Sequence, residues 1–585
     1  MAFIRVGSDN SLIVEDCFKQ KTVVNEIGGH WDAVRRVWLV TFTIENLSYL
    51  LDKLDNPTVS LDMEEKVKEQ QERETKLDNL REMSKRDVPV SLRVPGLKGA
   101  TLYNYQRIGI MYAMTNGTGV LIADEMGLGK TLEAIGTALF LKSKGLAKNA
   151  LIIVPASLKF NWPLEIEKFT DEKYVVIDAV KPEDRIPQWL RNDVFFYVVN
   201  YELLLEDLFG GREYKPKKDE TPEQKEKREQ RIIKAAMRER ILAPVRNRVW
   251  DFMVLDECHS IRHHGSKRSK NTKQLRSRFR MALTGTPMDG KLEELHSVMS
   301  FVAPGLLMNK TRFFQRYVET DFWGRVTGYK RISEISKKIQ PFFLRRLKKD
   351  VLKDLPDKIY ENRIVALTTE EMKIYKELAE HGHAATEDEQ AMVAIIRCKQ
   401  FCDWPAKVDN SCKSASKMNA FIDVLDEVVI RNGHKVLIFS QYKEMLNVIC
   451  PELDKMHIKY LRIDGDTPPR DRADMQKMFN EDKTIDVMVG TEAMSAGLNL
   501  TGADYVVLYD QWWSNIMVAQ AIDRAHRIGQ KSVVTVITFT CKDTIEERII
   551  SVLRTKASIT AKTLGDGCDE VVVRQIGTKQ IAALL

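Results

Sequence analysis

The stretch VLIADEMGLGKTLEAI (Val120–Ile135) decides the fold, because an apolar run passes through a glycine-rich turn into a helical pattern. The run Val120–Ala123 predicts a buried strand, and Leu132–Ile135 predicts the start of a helix. A strand, a glycine-rich turn and a helix opening at Lys130 form the context that a phosphate-binding loop requires. The sequence therefore predicts an α/β domain that binds a nucleoside triphosphate.

The glycine-rich turn supplies several candidate ligands for that nucleotide. Gly127 and Gly129 lie in the turn whose backbone N–H groups, with the helix N-terminus, would hold the phosphates. Lys130 is expected to reach the β- and γ-phosphate oxygens, and Thr131 to ligate Mg²⁺. One residue departs from the generic loop, because Asp124 stands where its first glycine is usual.

A pair of carboxylates follows another apolar run. Asp256 and Glu257 come directly after Phe252–Leu255, which predicts a strand. Strands of an open α/β sheet end at the crevice where nucleotides bind. Asp256 is therefore predicted to hold Mg²⁺ through water, and Glu257 to polarise the attacking water. A solvated turn is the alternative for such a pair on its own.

Two arginines much later in the chain complete the predicted chemistry. Arg524 and Arg527 are three residues apart, which places both on one face of a helix, and Gln520 shares that face. From a second lobe they could reach the γ-phosphate across a cleft, as arginine fingers do. Solvated helix charges are the alternative. The predicted catalytic residues are Lys130, Asp256, Glu257, Arg524 and Arg527.

Apolar runs of strand length recur in two parts of the chain and alternate with helical stretches. Such runs predict parallel strands buried on both faces, and their distribution predicts two α/β lobes in series. The runs are Leu151–Val154, Val194–Val199 and Phe252–Leu255 in the first part, and Val436–Phe439, Tyr460–Ile463, Ile485–Val489 and Tyr505–Leu508 in the second.

The predicted organisation has five segments. They are a small α+β module (1–56), a charged helical linker (57–95), a first lobe (96–335) with a charged insertion (212–240), a second lobe with interlobe helices (336–565) and a tail (566–585). Trp31 and Trp38 are expected to anchor the core of the small module. For the insertion, a solvated helical protrusion is favoured over a DNA-contacting element.

Composition narrows the classes of function. Hydrophobic residues make up 44% and charged residues 30% of the 585 residues, which is typical of globular proteins. No apolar run approaches the roughly 18 residues of a membrane span, so no membrane partner is expected. The eight scattered cysteines predict reduced thiols, hence a cytoplasmic protein, or a nuclear one in a eukaryote. The net charge of +7 permits a nucleic-acid partner without requiring one, and a monomer is expected.

The set of motifs resembles the Snf2-like branch of superfamily 2 helicases over roughly residues 96–565. The resemblance implies two RecA-like lobes, use of ATP and Mg²⁺, and ATP-driven translocation on double-stranded DNA, usually without processive strand separation. The similar segments are Leu102–Gln106, Val154–Trp162, Asn200–Glu202, Thr284–Pro287, Phe343–Val351, Val436–Tyr442, Asp464-Gly465, Thr491–Asp504 and Asp543–Ile549. Two departures, Met494-Ser495 for a usual glycine pair and Ser514-Asn515 for a common Asn-Pro, leave the ATP chemistry untouched.

The resemblance also assigns residues to ligands. Gln106 is implied to contact the adenine, and Gly497 and Gln520 to be further nucleotide contacts. Phosphate contacts that hold DNA without reading its sequence are implied for Ser157, Lys159, Asn161, Ser440 and Thr491.

A basic run near the joint between the lobes has two interpretations. It consists of Arg345, Arg346, Lys348 and Lys349. Contact with DNA phosphates and a solvated face remain open for it.

Residues 1–56 resemble the HARP module of the annealing-helicase subgroup, through Gly28–Asp32 and Arg35–Phe42. This implies forked DNA as a partner and a role in replication or repair, with an unrelated α+β cap as the alternative. For the whole chain, three rivals stay open: a chromatin remodeller, a strand-separating DNA or RNA helicase, and a nucleic-acid-binding scaffold with a dead ATPase.

Overall fold

A computed structural model of the protein describes residues 2–7, 11–32, 35–86, 88–210, 220–322, 324–383, 388–495 and 498–564. The predictions for Gly497, for residues 212–219 of the insertion and for the tail at 566–585 lie outside these residues. Within the described ranges, no helix is both long enough and apolar enough to cross a bilayer.

A five-stranded sheet and two helices form the N-terminal module. Its elements are β1 (Phe3–Val6), β2 (Ser11–Glu15), α1 (Lys21–Glu26), β3 (His30–Asp32), β4 (Val37–Thr41), α2 (Ile44–Lys53) and β5 (Thr58–Val59), with strand order β3-β4-β2-β1-β5. Trp38 is buried in the module's core as predicted, but Trp31 is 43% exposed. Trp31 is exposed because it lies on the edge strand β3, where its ring packs edge-on against Trp38.

The first lobe is built on a parallel sheet whose described strands follow the order β14-β6-β11-β10-β7-β9-β8. Its elements are α4 (Asn104–Asn116), β6 (Gly119–Ile122), α5 (Lys130–Ser143), β7 (Ala150–Val154), α6 (Asn161–Phe169), β8 (Tyr174–Ile177), α7 (Pro182–Trp189), β9 (Phe196–Asn200), α8 (Tyr201–Leu208), α9 (Pro222–Asn247), β10 (Val249–Leu255), α10 (Lys267–Gln274), β11 (Arg276–Leu283), α11 (Leu292–Val302), α12 (Lys310–Tyr317), β12 (Val318–Thr320), β13 (Val326–Tyr329), α13 (Ile332–Ile339) and β14 (Phe343–Leu344). Helix α3 (Met63–Lys85) precedes them.

The second lobe has its own parallel sheet, whose described strands follow the order β15-β20-β19-β16-β18-β17. Its elements are α14 (Lys348–Val351), β15 (Lys358–Val365), α15 (Thr369–His383), α16 (Asp388–Asp403), α17 (Pro405–Val408), α18 (Ser416–Leu425), β16 (Val436–Phe439), α19 (Lys443–Lys455), β17 (Tyr460–Ile463), α20 (Pro469–Glu481), β18 (Val487–Gly490), β19 (Tyr505–Leu508), α21 (Asn515–Ile522), β20 (Val534–Cys541) and α22 (Ile545–Leu564). The predicted fold class, two α/β lobes with parallel sheets and a small N-terminal module, is confirmed.

The charged segment after the module is more than a linker. Helix α3 buries Leu77 and Leu80 in the first lobe's core, beside Ile108 and Tyr112 of α4. At its other end Met63 joins the core of the N-terminal module. Because the two leucines lie three residues apart on one face, the helix can pack there while its charged residues remain in water.

The insertion divides into an exposed part and a buried part. From Pro222 to Ala235 the side chains of α9 are exposed or nearly so, as the solvated protrusion predicts. Further along, Leu242 and Val245 are buried in the first lobe's core. The helix therefore belongs to the lobe at its C-terminal end.

The boundary between the lobes differs from the predicted position at 335. Strand β14 pairs in parallel with β6, with Phe343 opposite Leu121 and Leu344 opposite Ile122. The first lobe thus extends to Leu344, because these apolar residues complete its sheet. Near the end of the chain, Ile559 of α22 also packs into the first lobe's core, so the chain crosses between the lobes twice.

Candidate active site between the lobes

The phosphate loop has the backbone that its glycines allow. It runs from the end of β6 to the start of α5, and Gly127 and Gly129 adopt φ values of +82° and +78°. A Cβ on Gly129 would lie only 2.6 Å from Nε2 of Gln106. Lys130 Nζ donates to the carbonyl of Asp124 at 2.8 Å and to that of Glu125 at 3.4 Å. Its ammonium therefore lies inside the loop on two neutral oxygens, which a phosphate group could replace.

Gln106 of α4 contacts the phosphate loop through hydrogen bonds. Its Oε1 accepts from the backbone N–H of Tyr103 at 3.1 Å, and its Nε2 donates to the carbonyl of Leu128 at 3.1 Å. The Tyr105 hydroxyl donates to the same carbonyl at 2.9 Å. Both ends of the Gln106 amide are thus engaged within the chain, and its role towards an adenine stays a prediction.

Asp256 and Glu257 lie immediately beyond β10, as predicted. Asp256 Oδ2 accepts from Trp162 Nε1 at 2.8 Å, and its Oδ1 accepts from the backbone N–H of Glu257 at 2.9 Å. Glu257 is held at φ +45°, in the left-handed region where a non-glycine residue is uncommon. The contact from Trp162 connects the first turn of α6 to the carboxylate pair.

The two carboxylates ionise differently. Burial and the adjacent charge of Glu257 raise the pKa of Asp256 to about 6. Burial also acts to raise the pKa of Glu257, but His259 and the charges of Lys130 and Arg524 lower it below its usual value. Glu257 therefore remains ionised at neutral pH, with His259 Nδ1 3.2 Å from its Oε2.

Arg524 and Arg527 lie beyond a helix, not on one as predicted. Helix α21 ends at Ile522, and both arginines lie in the turns that follow, which we call the arginine turn (residues 523–527). Arg524 donates to the carbonyls of Gln520 at 3.2 Å and Leu498 at 3.0 Å, and Arg527 donates to that of Leu498 at 3.3 Å. The helix stops because these side chains bind backbone oxygens at its own C-terminal end and on the neighbouring loop.

The arginine turn lies against the phosphate loop of the other lobe. A Cβ on Gly127 would be 3.0 Å from Cβ of Arg527, so a larger residue at 127 would separate the lobes. Burial and the neighbouring charge of Arg527 lower the pKa of Arg524 to about 10. Two partly buried cations bound to neutral carbonyls beside a phosphate loop create the positive potential that a γ-phosphate requires.

Contacts of the interlobe basic run were not foreseen from the sequence. Arg346 is buried, and its guanidinium donates to both carboxylate oxygens of Asp124, to Oδ1 from Nε at 2.9 Å. It also donates to both carboxylate oxygens of Glu133, at 2.7 and 2.8 Å. This ion pair accounts for the aspartate in place of the usual glycine. Lys348 is also buried, so for these two residues neither the DNA-contact nor the solvated-face interpretation holds, whereas Lys349 is exposed.

The predicted DNA contacts fall into two groups. Ser157 is exposed, and Lys159 and Asn161 follow it on the way into α6, with Lys159 Nζ 5.0 Å from the ring centroid of Phe160. Thr491 is 9% exposed. Ser440 is fully buried, and its hydroxyl donates to Asp510 at 2.5 Å. The structure therefore corrects the prediction for Ser440, whose hydroxyl is committed inside the second lobe.

Two family models match most of the chain between residues 103 and 529. Residues 103–417 match the family model of the SNF2-related domain, and residues 416–529 match the helicase conserved C-terminal domain. An uncharacterized ATP-dependent helicase of Mycoplasma pneumoniae is 30% identical over 481 residues, covering 80% of this chain and 42% of that protein. The SWI/SNF chromatin-remodeling complex subunit snf22 of Schizosaccharomyces pombe is 30% identical, covering 80% of this chain and 28% of that protein.

Among solved structures, the SWI2/SNF2 ATPase core of Sulfolobus solfataricus in complex with dsDNA is 27% identical. It covers 81% of this chain and 95% of that chain, with a TM-score of 0.38. The chain spans about two fifths of the length of this Mycoplasma pneumoniae protein and of a similar helicase from Mycoplasma genitalium.

Proposed function

Because the chain belongs to the family of the SNF2-related domain, we propose that it is an ATPase that translocates along double-stranded DNA. One observation carries the proposal. The arginine turn of the second lobe packs against the phosphate loop of the first, with Arg527 Cβ 3.0 Å from where a Gly127 Cβ would lie. A nucleotide bound there would be enclosed by both lobes, so its hydrolysis can change their relative position.

The roles of the nucleotide ligands follow from the loop. The backbone N–H groups around Gly127 and Gly129 and the N-terminus of α5 bind the phosphates. Lys130 exchanges its two carbonyl contacts for phosphate oxygens, and Arg527 and Arg524 stabilise charge on the γ-phosphate. Gln106, Gln520 and Gly497 serve as further nucleotide contacts.

The oxygen groups of Thr131 and Asp256 suit Mg²⁺, which prefers carboxylate, hydroxyl and phosphate oxygens. Bound there, the ion would neutralise charge on the β- and γ-phosphates. Glu257 acts as general base on the attacking water, since it is ionised, and His259 Nδ1, 3.2 Å from its Oε2, orients the carboxylate.

The DNA is held by segments that follow the carboxyl ends of the strands, as Asp256 follows β10. Ser157, Lys159 and Asn161 contact one phosphate backbone from the first lobe, and Thr491 contacts it from the second. The bond from Trp162 to Asp256 connects the first group to the Mg²⁺ ligand at 2.8 Å. Phosphate contacts of this kind are independent of sequence, as a translocase requires.

The N-terminal module directs this activity to forked DNA, where the protein remodels or reanneals strands during replication or repair. The module's likeness to HARP supports this role, as does its placement beside the first lobe. Thr41 Oγ1 donates to the carbonyl of Pro304 at 2.9 Å, and Arg312 donates to the carbonyl of Thr22 at 3.1 Å. Movements of the first lobe are therefore passed to the module.

The decisive experiment measures ATP turnover with duplex, forked and single-stranded DNA and with RNA, beside the Lys130→Ala variant. We expect duplex and forked DNA to stimulate the parent protein most and Lys130→Ala to show no turnover with any of them. Displacement of a triplex strand tests translocation directly. Stimulation by RNA equal to that by duplex DNA would overturn the DNA assignment, and unwinding of long duplexes would identify a strand-separating helicase.

A further inference from the structure

The segment between the two sheets contacts the nucleotide loops of both lobes. We call residues 346–358 the bridging segment. On the first-lobe side, Glu125 of the phosphate loop accepts from the backbone N–H of Lys348 at 2.8 Å and from Lys358 Nζ at 3.1 Å. The phosphate loop is therefore bound to this segment through the Glu125 side chain.

On the second-lobe side, one lysine makes the contact. Lys348 Nζ donates to Asp523 Oδ1 at 2.6 Å and to the carbonyl of His526 at 2.5 Å. Lys348 is 3% exposed and Asp523 is 4% exposed, so this ion pair is shielded from water. Asp523 and His526 flank Arg524 and precede Arg527, so Lys348 binds the arginine turn at two points.

The same contacts lead back to the nucleotide lysine. Lys130 donates to the carbonyls of Asp124 and Glu125, the two residues whose side chains hold Arg346 and Lys348 of the bridging segment. Lys348 Nζ itself would be 3.4 Å from a Cβ on Gly127. A change at the phosphates would therefore reach the bridging segment through Asp124 and Glu125, whose carbonyls contact Lys130 and whose side chains contact Arg346 and Lys348.

On the premise of the proposed nucleotide site, we propose that Lys348 is a positioning residue that holds the arginine turn against the phosphate loop. It does not contact the nucleotide. Without its ammonium, Asp523 would be a buried carboxylate that has lost its ion-pair partner, a costly state. The turn would move outward to hydrate Asp523 and would carry Arg524 and Arg527 away from the γ-phosphate.

The test compares Lys348→Met, Asp523→Asn and the double variant with the parent, in DNA-stimulated turnover and in affinity for a fluorescent ATP analogue. Lys353→Met is the matched control, because Lys353 is an exposed lysine of the same segment. A displacement of about 1 Å can cost about 100-fold in rate. We expect each single variant to lower kcat by about tenfold or more with nucleotide affinity within about twofold, and the double variant to cost no more than the worse single one.

A second readout does not depend on turnover. Hydrogen exchange of the amides of residues 520–530, followed by mass spectrometry, should accelerate in Lys348→Met and Asp523→Asn but not in Lys353→Met. Asp523→Asn preserves shape, so it keeps the test valid if Lys348→Met does not fold. Unchanged exchange in Asp523→Asn, or parent kcat in a folded single variant, would overturn the proposal. If the parent hydrolyses no ATP but exchange still accelerates, the proposed function fails while the positioning role stands.

Discussion

At the scale of single residues, two adjacent carboxylates in the same buried site have pKa values shifted in opposite directions. The pKa of Asp256 is raised by burial and by Glu257, whereas that of Glu257 is lowered by His259, Lys130 and Arg524, against the effect of burial. The residue proposed as general base is therefore the one of the two whose ionised form persists to lower pH. This division follows from where the two lobes place their cations.

Glu257→Gln should bind ATP but not hydrolyse it, because the amide cannot accept a proton from water. The measurement is binding of a fluorescent nucleotide beside phosphate release. Lys130→Ala provides the contrast, since it removes a phosphate ligand and should weaken binding as well. Loss of both binding and hydrolysis in Glu257→Gln would indicate a structural role.

Arg527→Ala should lower hydrolysis by at least about 100-fold on saturating DNA, since arginine fingers contribute about 10³–10⁵-fold in other phosphoryl-transfer enzymes. DNA binding, measured by fluorescence anisotropy, should be unchanged. Arg527→Lys should restore little, because it keeps the charge and loses the planar fork. Arg524→Ala should also impair turnover. Parent turnover in Arg527→Ala would mean that the lobes do not share one active site.

The sequence predicts those site residues whose position depends on a local pattern of strand, turn and helix. A strand, a glycine turn and a helix put Lys130 where phosphates bind, and a strand end puts Asp256 and Glu257 at the same edge. The contacts of Asp124 with Arg346 and of Asp256 with Trp162 join residues that are far apart in the chain. They depend on how the lobe packs, and their only sign in the sequence is an aspartate where a glycine is usual.

At the scale of elements, a high content of charged residues makes it difficult to predict from the sequence which segments are buried. Helix α3 is dense in charged residues, yet two leucines suffice to hold it on α4. Strand β11 was missed for a similar reason, because Arg276, Arg278 and Arg280 interrupt its apolar pattern although it pairs with β10 and β6. The apolar runs of β7, β9 and β16 carry no such charges and were predicted.

Leu77→Ala should destabilise the first lobe by about 2–5 kcal/mol, the usual cost of truncating a buried leucine. Leu61→Ala is the control, since Leu61 is fully exposed and its truncation should change stability by less than about 0.5 kcal/mol. Urea unfolding followed by far-UV circular dichroism measures both. Equal stability of the two variants would mean that α3 is only a linker.

Arg346→Met should destabilise the protein by about 3–5 kcal/mol, because it leaves Asp124 and Glu133 buried without their cation. Adding Glu133→Gln to that variant removes one of the uncompensated charges and should recover part of the loss. Chemical denaturation of the two variants gives the difference. If the double variant is less stable than Arg346→Met, the ion pair is not the source of the effect.

At the scale of the whole molecule, the N-terminal module is attached to the first lobe but carries none of the proposed nucleotide ligands. Its glycines allow a close fit, since a Cβ on Gly28 would lie 1.5 Å from the carbonyl oxygen of Gly305. The module was predicted from its short strands and turns. Its docking site could not be predicted, because it joins residues that are far apart in the chain, such as Thr41 with Pro304 and Arg312 with Thr22.

Deleting residues 1–56 should leave DNA-stimulated ATP turnover largely intact and weaken binding to forked DNA. Electrophoretic mobility shifts on forked and linear duplexes of equal length separate the two effects. Equal loss on both substrates would show a general stabilising role, and no loss on either would reduce the module to a cap.

The return of α22 to the first lobe limits how the cleft can open. Ile559 lies in the first lobe's core, and Lys556 Nζ is 3.2 Å from Asp289, so the lobes are joined here as well as at the bridging segment. Two bodies connected at one point can swivel in any direction, but two connected at separate points can turn only about the line between them. An opening of the cleft would then be a swing about a fixed axis, and Arg527 would move along an arc that leads back to Gly127 on closure.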